Sequence, residues 1–247
     1  MREAHSLIVY PEFIMKIGIL LCGDVPESLI DEFGDYSSCL QQQFNLGIYE
    51  ERTVWNVYQK NELPDDVALC DAYVIGGSPS SVNDEFDWIN SLSLFILRAF
   101  VAKKKLFGIC FGHQVINHAL GGKVQKVDRG WGLGTYEVEL FKDLDELKAG
   151  NKLSLIAMHQ DQVITPAKKF EVVAGCDFCP NYITRYKNQV LTVQGHPEFS
   201  FSFFVALLKA SEGKFPQEKV EKASASNNYF QSGDYFNTLV YRFLFDH

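Results

Sequence analysis

Residues 105–122 read KLFGICFGHQVINHALGG, an apolar strand followed at once by a helix. Cys110 lies at the predicted turn between them, with Gly108 and Gly112 two positions before and after it. A side chain at such a turn has a strained backbone, and small residues at these two positions avoid a clash. The free N–H groups at the start of the helix stabilise negative charge at the turn. The pattern therefore predicts an exposed, nucleophilic sulfur.

The G-x-C-x-G pattern alone does not establish catalysis, because free cysteine is also one of the most frequently buried residue types. The end of a second predicted strand supports a catalytic role for Cys110. There, residues 190–194 (VLTVQ) are followed by the GHPE string of residues 195–198. In an extended segment, residues two positions apart point to the same side, so Glu198 can orient the imidazole of His196. We therefore predict Cys110 as nucleophile, His196 as base and Glu198 as the orienting acid.

The pattern of the 247-residue chain predicts an α/β fold. Apolar strands alternate with amphipathic helices in the first half, and short β-rich segments dominate the second half. We expect a single domain over residues 15–247, with a central, mostly parallel twisted sheet flanked by helices and a smaller β-rich part. Residues 1–14 are an extension of uncertain role. A polar, exposed connection is predicted over residues 212–229, within a C-terminal helical extension that begins after about residue 211.

Charge and hydropathy argue against nucleic-acid and membrane partners. The net charge is −8, and the only basic run lies at a predicted helix end, where lysines complement the helix dipole. No uninterrupted apolar stretch approaches the roughly 18 residues that a membrane-spanning helix needs. The first fourteen residues do not resemble a signal peptide. These observations predict a protein that binds neither nucleic acid nor a membrane.

The six cysteines do not have the spacing of a disulfide framework, which suits a reducing cytosol and predicts a cytoplasmic location. Cys176 and Cys179 have the spacing of half a zinc site. Because no second CxxC or HxxxH pair accompanies them, we expect no metal. The chain also lacks a G-x-x-x-x-G-K-[ST] phosphate loop, so no nucleotide chemistry and no cofactor are expected.

Four separated strings together resemble the class I, triad-type glutamine amidotransferases, most closely the glutaminase domain that accompanies GMP synthase. They are VIGGSPSS at residues 74–81, GICFGHQ at 108–114, MHQD at 158–161 and GHPE at 195–198. In this order and spacing the set is far more specific than any single string. The resemblance implies the flavodoxin-like fold of that family.

Carried over by position, the resemblance implies the same catalytic residues, Cys110, His196 and Glu198. It also implies that the main-chain N–H groups of Gly77 and Phe111 form the oxyanion hole.

The remaining matched positions are predicted to bind the substrate. They are Gly76, Gln114, His159, Gln160 and Asp161. Taken alone, Gly76 could belong to a plain turn and Gln114 to a helix surface. Trp131, in the string RGWGLG, receives no role from the sequence.

The resemblance implies hydrolysis of the side-chain amide of glutamine, or of a γ-glutamyl amide, through a cysteinyl γ-glutamyl thioester. Glutamate and ammonia would be released, and no acceptor domain follows Glu198, so a separate synthase subunit is the expected recipient. One alternative is a stand-alone γ-glutamyl peptidase acting on γ-glutamyl peptides or glutathione conjugates, for which the pocket would be open beyond the scissile bond. A second alternative is a non-catalytic binding module that keeps the fold.

Overall fold

A computed structural model describes residues 15–43, 50–225 and 232–245. The predicted extension over residues 1–14 lies outside the described residues, as do positions 226–229 of the predicted connection. The strands are β1 (Met15–Leu21), β2 (Glu50–Asn56), β3 (Ala72–Ile75), β4 (Lys105–Ile109), β5 (Lys123–Lys126), β6 (Gly132–Leu140), β7 (Lys152–His159), β8 (Asp161–Thr165), β9 (Glu171–Gly175), β10 (Ile183–Tyr186) and β11 (Val190–Val193). The helices are α1 (Glu27–Phe33), α2 (Tyr36–Gln43), α3 (Val57–Lys60), α4 (Asp87–Val101), α5 (Phe111–Ala119), α6 (Phe201–Ala210), α7 (Gln217–Ala225) and α8 (Gly233–Phe245).

Nine of these strands form one sheet in the order β2-β1-β3-β4-β11-β10-β9-β6-β7, and β5 pairs with β8 in a separate ribbon. Strands β2, β1, β3, β4 and β11 are mutually parallel, whereas the strands from β10 to β7 are antiparallel. The predicted α/β fold class is confirmed. The β-rich second half mostly continues the same sheet, because β11 pairs with both β4 and β10.

Helices cover both faces of the parallel part of the sheet. Tyr73 and Ile75 of β3 pack against α4 and α5 on one face, whereas Val74 packs with α2, α6 and α8 on the other. This alternation follows from the two-residue period of a strand, and both faces are apolar because both are buried. The catalytic candidates therefore lie at the carboxyl edge of a sheet that is buried on two sides.

The described part of the segment predicted as an exposed connection, residues 212–225, is mostly exposed and contains a helix. Helix α7 lies within it, and its Ala223 is buried. The Lys219 ammonium donates to the main-chain oxygen of Trp131, just before β6. The polar composition of the segment indicated solvent exposure, but the contact that orders it comes from a residue far away in the sequence.

Across residues 15–43, 50–225 and 232–245, every helix is too short or too polar to cross a lipid bilayer.

Candidate active site

The backbone at Cys110 has the strained geometry that the sequence predicts, but the residue is only 5% exposed, so the expectation of an exposed sulfur was wrong: Cys110 is buried and lines a cavity. Cys110 lies between the end of β4 and the start of α5 with φ 51° and ψ −100°, a left-handed region that L-residues seldom adopt. A Cβ added at Gly112 would lie 2.1 Å from the Ile75 carbonyl oxygen, and one added at Gly108 would lie 2.6 Å from the Gly112 main chain. Both glycines are required because the turn passes directly against the main chain of β3 and α5.

His196 and Glu198 reach Cys110 because β11 lies beside β4 in parallel, so the two strands end at the same edge. The main chain of His196 is fixed by a 2.7 Å hydrogen bond from its N–H to the Ile156 carbonyl of β7. The His196 Nδ1 and Glu198 Oε1 are 2.7 Å apart, and the imidazole stacks on Phe199 at 4.1 Å between ring centroids. The Cys110 side chain lies near enough to the imidazole to raise its pKa.

Two opposing effects act on the His196 imidazole. Burial lowers its pKa, but the charges of Glu198 and Cys110 and the hydrogen bonds to both outweigh burial and raise the pKa to about 10. The imidazolium form is therefore favoured at neutral pH, so the ring carries a proton that it can donate.

Tyr36 is a member of the site that sequence reasoning missed. Its hydroxyl donates to Glu198 Oε1 over 2.7 Å and accepts the Gly77 N–H over 2.9 Å. Burial and the neighbouring Glu198 carboxylate raise the Tyr36 pKa well above its usual value, so the phenol stays protonated. In the sequence, Tyr36 belongs to the apolar positions that recur every three or four residues after Pro26, a pattern typical of a helix that packs on the sheet. A buried tyrosine hydroxyl usually has a hydrogen-bond partner, and this rule was the one signal that could have indicated a role in the site.

The two predicted oxyanion donors differ in their present partners. The Gly77 N–H is held by the Tyr36 hydroxyl, so a substrate oxygen would replace that hydroxyl. The Phe111 N–H, at the first position of α5, has no acceptor within the described part of the chain. Gly77 lies close to both reacting groups, since a Cβ added there would be 3.1 Å from the His196 ring and 3.8 Å from the Cys110 Cβ.

Two glutamine side chains connect the nucleophile to the main chain of the MHQD loop. The Gln114 amide donates to the Asp161 carbonyl over 2.8 Å and to Gln194 Oε1 over 3.2 Å. The Gln194 amide in turn contacts the Cys110 sulfur at 3.7 Å. Gln194 was not predicted, although it directly follows β11 and lies two residues before His196.

The remaining substrate-binding candidates occupy two different places. His159 is buried, donates from Nδ1 to the Asp161 carbonyl over 3.1 Å, and has a pKa lowered to about 3, chiefly by burial. Gln160 lines the pocket beside His159 and Asp161. Gly76 lies behind the pocket: its N–H donates to the Leu20 carbonyl, and its carbonyl accepts an N–H from the start of α5.

A cavity of about 740 Å³, here called the Cys110 pocket, opens over Cys110 and His196. Its polar side includes Gly77, Ser78, Ser81, Gln114, Gln160 and Asp161. Its apolar wall consists of Trp131, Met158, Phe199, Phe203, Leu207 and Phe215. A volume of this size suits a ligand larger than a single amino acid.

No group of three or more potential metal ligands occurs among the residues that the structure describes. Cys176 and Cys179 are both free thiols.

A family model described as glutamine amidotransferase class-I matches residues 28–208. The chain belongs to this family. Gamma-glutamyl peptidase 2 of Arabidopsis thaliana is 30% identical over 217 residues, which are 83% of this chain and 85% of that protein. A glutamine amidotransferase-like protein of Schizosaccharomyces pombe is 26% identical over 92% of this chain and 98% of its own length.

Two further similarities concern the larger synthases and the fold. The GMP synthase of Porphyromonas gingivalis is 33% identical over 68% of this chain, which matches only 33% of that protein. The crystal structure of a glutamine amidotransferase from Thermotoga maritima superposes with a TM-score of 0.69 at 17% identity, covering 94% of this chain and 96% of that chain. This class I glutamine amidotransferase therefore has the fold of its family over nearly its whole length.

Proposed function

We propose that this chain hydrolyses the γ-glutamyl amide bond of compounds larger than glutamine. The observation that supports this most is the Cys110 pocket, which at about 740 Å³ continues past Cys110 and His196 along an apolar wall. A glutaminase that only releases ammonia needs no such space on the leaving-group side. The similarity to a γ-glutamyl peptidase over more than four fifths of this chain points the same way.

In the proposed reaction the Cys110 sulfur attacks the γ-carbonyl carbon of the substrate. The C–N bond breaks, His196 protonates the leaving amine, and a γ-glutamyl thioester forms on the sulfur. His196 then removes a proton from water, the resulting hydroxide attacks the thioester carbon, and glutamate leaves as the thiol is restored. Glu198 keeps the imidazole oriented throughout, through the 2.7 Å bond to Nδ1.

The carbonyl oxygen becomes an anion in both steps. In this proposal the Phe111 N–H receives it directly, and the Gly77 N–H does so once the substrate oxygen replaces the Tyr36 hydroxyl. Each such donor typically contributes about 3 kcal/mol to stabilising the transition state. Gln114, Gln160 and Asp161 bind the glutamyl end on the polar side of the pocket.

The second candidate is release of ammonia from glutamine for a separate synthase subunit. The 33% identity to a GMP synthase over two thirds of this chain favours it. The same residues would act, and only the leaving group would differ.

The two candidates are separated by measuring glutamate release from γ-glutamyl dipeptides and from glutamine. We expect a higher kcat/KM for the dipeptides, no release by Cys110→Ala, and unchanged release by Cys176→Ala, whose cysteine lies outside the pocket. Hydrolysis of glutamine alone would favour the ammonia donor. No release from either substrate would favour a non-catalytic binding module.

The nucleophile is identified independently by trapping with a glutamine-mimicking electrophile and mass spectrometry of the labelled peptide. Label on a cysteine other than Cys110 would refute the assignment of the site.

A cytoplasmic location is part of this proposal. All six cysteines are free thiols, and free thiols persist where the surroundings are reducing.

A further inference from the structure

The outer end of the Cys110 pocket is built by residues that the family model does not match. The matched region ends at residue 208, whereas Ser211, Lys214 and Phe215 all line the pocket. They lie in the turn between α6 and α7. Substrate selection at this end therefore depends on a segment outside the matched core of the family.

Several contacts fix this turn against the body of the protein. The Phe215 ring packs edge-on against Trp131, with 4.7 Å between ring centroids and 82° between planes. The Lys219 ammonium of α7 donates to the Trp131 carbonyl and, over 3.5 Å, to the Arg129 carbonyl. The Lys214 N–H donates to the Ser211 carbonyl over 3.0 Å. Trp131 and Phe215 are thus held as one aromatic surface.

This surface lies on the side where a leaving group would depart. His196, which protonates the leaving amine in the proposed reaction, stacks on Phe199 of the apolar wall. From there the wall continues through Phe203, in ring contact with Phe199 at 4.9 Å, and along α6 to the Ser211 turn. The polar side, where Gln114 holds the Asp161 carbonyl, is left for the glutamyl end.

Some of the charged side chains that line the pocket have hydrogen-bond partners, whereas others have no oppositely charged partner among the described residues. Asp24 accepts a hydrogen bond from Gln59, and Asp84 accepts one from the Ser81 N–H. Lys214 has no carboxylate within 4.0 Å in the part of the chain that the structure describes. A second cation, Lys126, also lines the pocket, but its main chain pairs with that of Asp161 in the β5–β8 ribbon, which places it at the polar side. Lys214 is therefore the cation available beside the aromatic surface.

We propose that Trp131, Lys214 and Phe215 form a leaving-group site that takes an apolar side chain together with a free carboxylate. The inference rests on the proposed hydrolysis of γ-glutamyl amides and names the substrate class: γ-glutamyl derivatives of apolar, preferably aromatic, amino acids. The two rings contact the side chain, since aromatic pairs favour edge-to-face and offset packing. The Lys214 ammonium pairs with the carboxylate of the leaving amino acid.

Recognition of the leaving group's carboxylate is tested with two substrates: γ-glutamyl-phenylalanine, and the same dipeptide with its phenylalanine carboxylate converted to an uncharged amide. Lys214 is exposed, so in Lys214→Met we expect the ratio of their kcat/KM values, acid to amide, to fall about threefold, the range for losing an exposed charge pair. Lys209→Met, which removes an exposed cation from the end of α6 outside the pocket, should leave the ratio unchanged. An equal ratio in Lys214→Met and the wild type would overturn the role of Lys214.

The aromatic surface is tested with γ-glutamyl-phenylalanine and γ-glutamyl-glycine. In Phe215→Ala the kcat/KM for γ-glutamyl-phenylalanine, divided by that for γ-glutamyl-glycine, should fall about tenfold. Apolar contacts in a specificity pocket typically change kcat/KM by a factor of this size. A ratio unchanged by both Phe215→Ala and Trp131→Ala would overturn the site, while continued hydrolysis would leave the proposed function intact.

Failure of the proposed function itself gives a different result, namely no hydrolysis of any γ-glutamyl dipeptide by the wild type. In that case calorimetric binding of γ-glutamyl-phenylalanine to Cys110→Ala still tests the site. We expect binding that Lys214→Met weakens about threefold, and undetectable or unchanged binding would overturn the proposal.

Discussion

The Tyr36 hydroxyl joins two parts of the site that lie far apart in the sequence. It donates to the same Glu198 oxygen that holds His196, and it accepts the N–H of Gly77. The single hydroxyl therefore influences both the orientation of the imidazole and the availability of one predicted oxyanion donor.

In Tyr36→Phe both hydrogen bonds are lost while the ring still fills its place. We expect kcat to fall about tenfold, because a hydrogen bond to a charged group contributes roughly 1.5 kcal/mol. KM should not rise, since the Gly77 N–H becomes free for the substrate oxygen. Steady-state kinetics on a γ-glutamyl dipeptide measures both constants. Tyr58→Phe, at an exposed tyrosine of α3, is the control, and equal kcat values for the two variants would contradict the role of Tyr36.

Glu198→Gln removes the charge that does most to keep His196 protonated. Burial then prevails, and the pKa of His196 should fall well below the wild-type value of about 10. The fraction of imidazolium available to protonate the leaving amine falls with it, so kcat/KM at pH 8 should drop by about 100-fold. NMR titration of the imidazole and the pH profile of kcat/KM give the two readouts. Superimposable profiles for wild type and variant would show that Glu198 does not control the ring.

The turn from β4 to α5 depends on close main-chain approach. In Gly112→Ala the new Cβ would meet the Ile75 carbonyl oxygen at 2.1 Å, and neither atom belongs to a flexible side chain. We expect the free energy of unfolding to fall by about 3 kcal/mol or more, as for other severe steric changes in a core.

The matched control for that prediction is Gly213→Ala. Gly213 has φ +80° with no atom near its missing Cβ, so only the backbone conformation is unfavourable, costing about 1 kcal/mol. Urea denaturation measures both variants. If both variants lost the same free energy of unfolding, steric contact with β3 would not be the reason that position 112 requires glycine.

Helix α7 shows what a local pattern leaves open. Its polar sequence predicted an exposed connection, and most of its residues are exposed, but the pattern did not show the contacts of Lys219 with the Trp131 carbonyl and of Phe215 with the Trp131 ring. By contrast, the strand–turn–helix around Cys110 was predicted because every residue that defines it lies within a few positions of the cysteine.

Three buried histidines give the folding stability of the whole molecule opposite dependences on pH. Burial lowers the pKa values of His113 and His159 to about 3 from an ordinary 6.5. Between pH 6.5 and 3 the unfolded chain binds protons at these residues and the folded chain does not, so stability is lost as pH falls. His196 has a raised pKa, so its contribution is complete below pH 6.5 and is lost as pH rises toward about 10.

We therefore expect maximal stability near pH 6.5 and a loss of about 2 kcal/mol at pH 5 for each of His113 and His159. Urea denaturation at pH 7 and pH 5 measures the loss. His113→Gln should reduce the difference between the two pH values, whereas His118→Gln, at an exposed position of the same helix, should not. A pH dependence unaffected by His113→Gln would contradict the burial of a neutral imidazole there.

The sequence alone determined the alternation of strands and helices, the strained strand-to-helix turn at Cys110 and the proximity of His196 and Glu198. The first two depend on backbone geometry and side-chain period over a few positions, which a linear pattern records directly. The His196–Glu198 contact was predicted from the period of an extended segment, whereas Pro197 and Glu198 lie in a turn. Only the tertiary structure decided that Tyr36 bonds to Glu198 across 162 positions, and that Phe215 closes the pocket against Trp131. Such contacts arise from how packed elements fit in three dimensions, and apolar periodicity shows that a residue is buried without showing which distant group it meets.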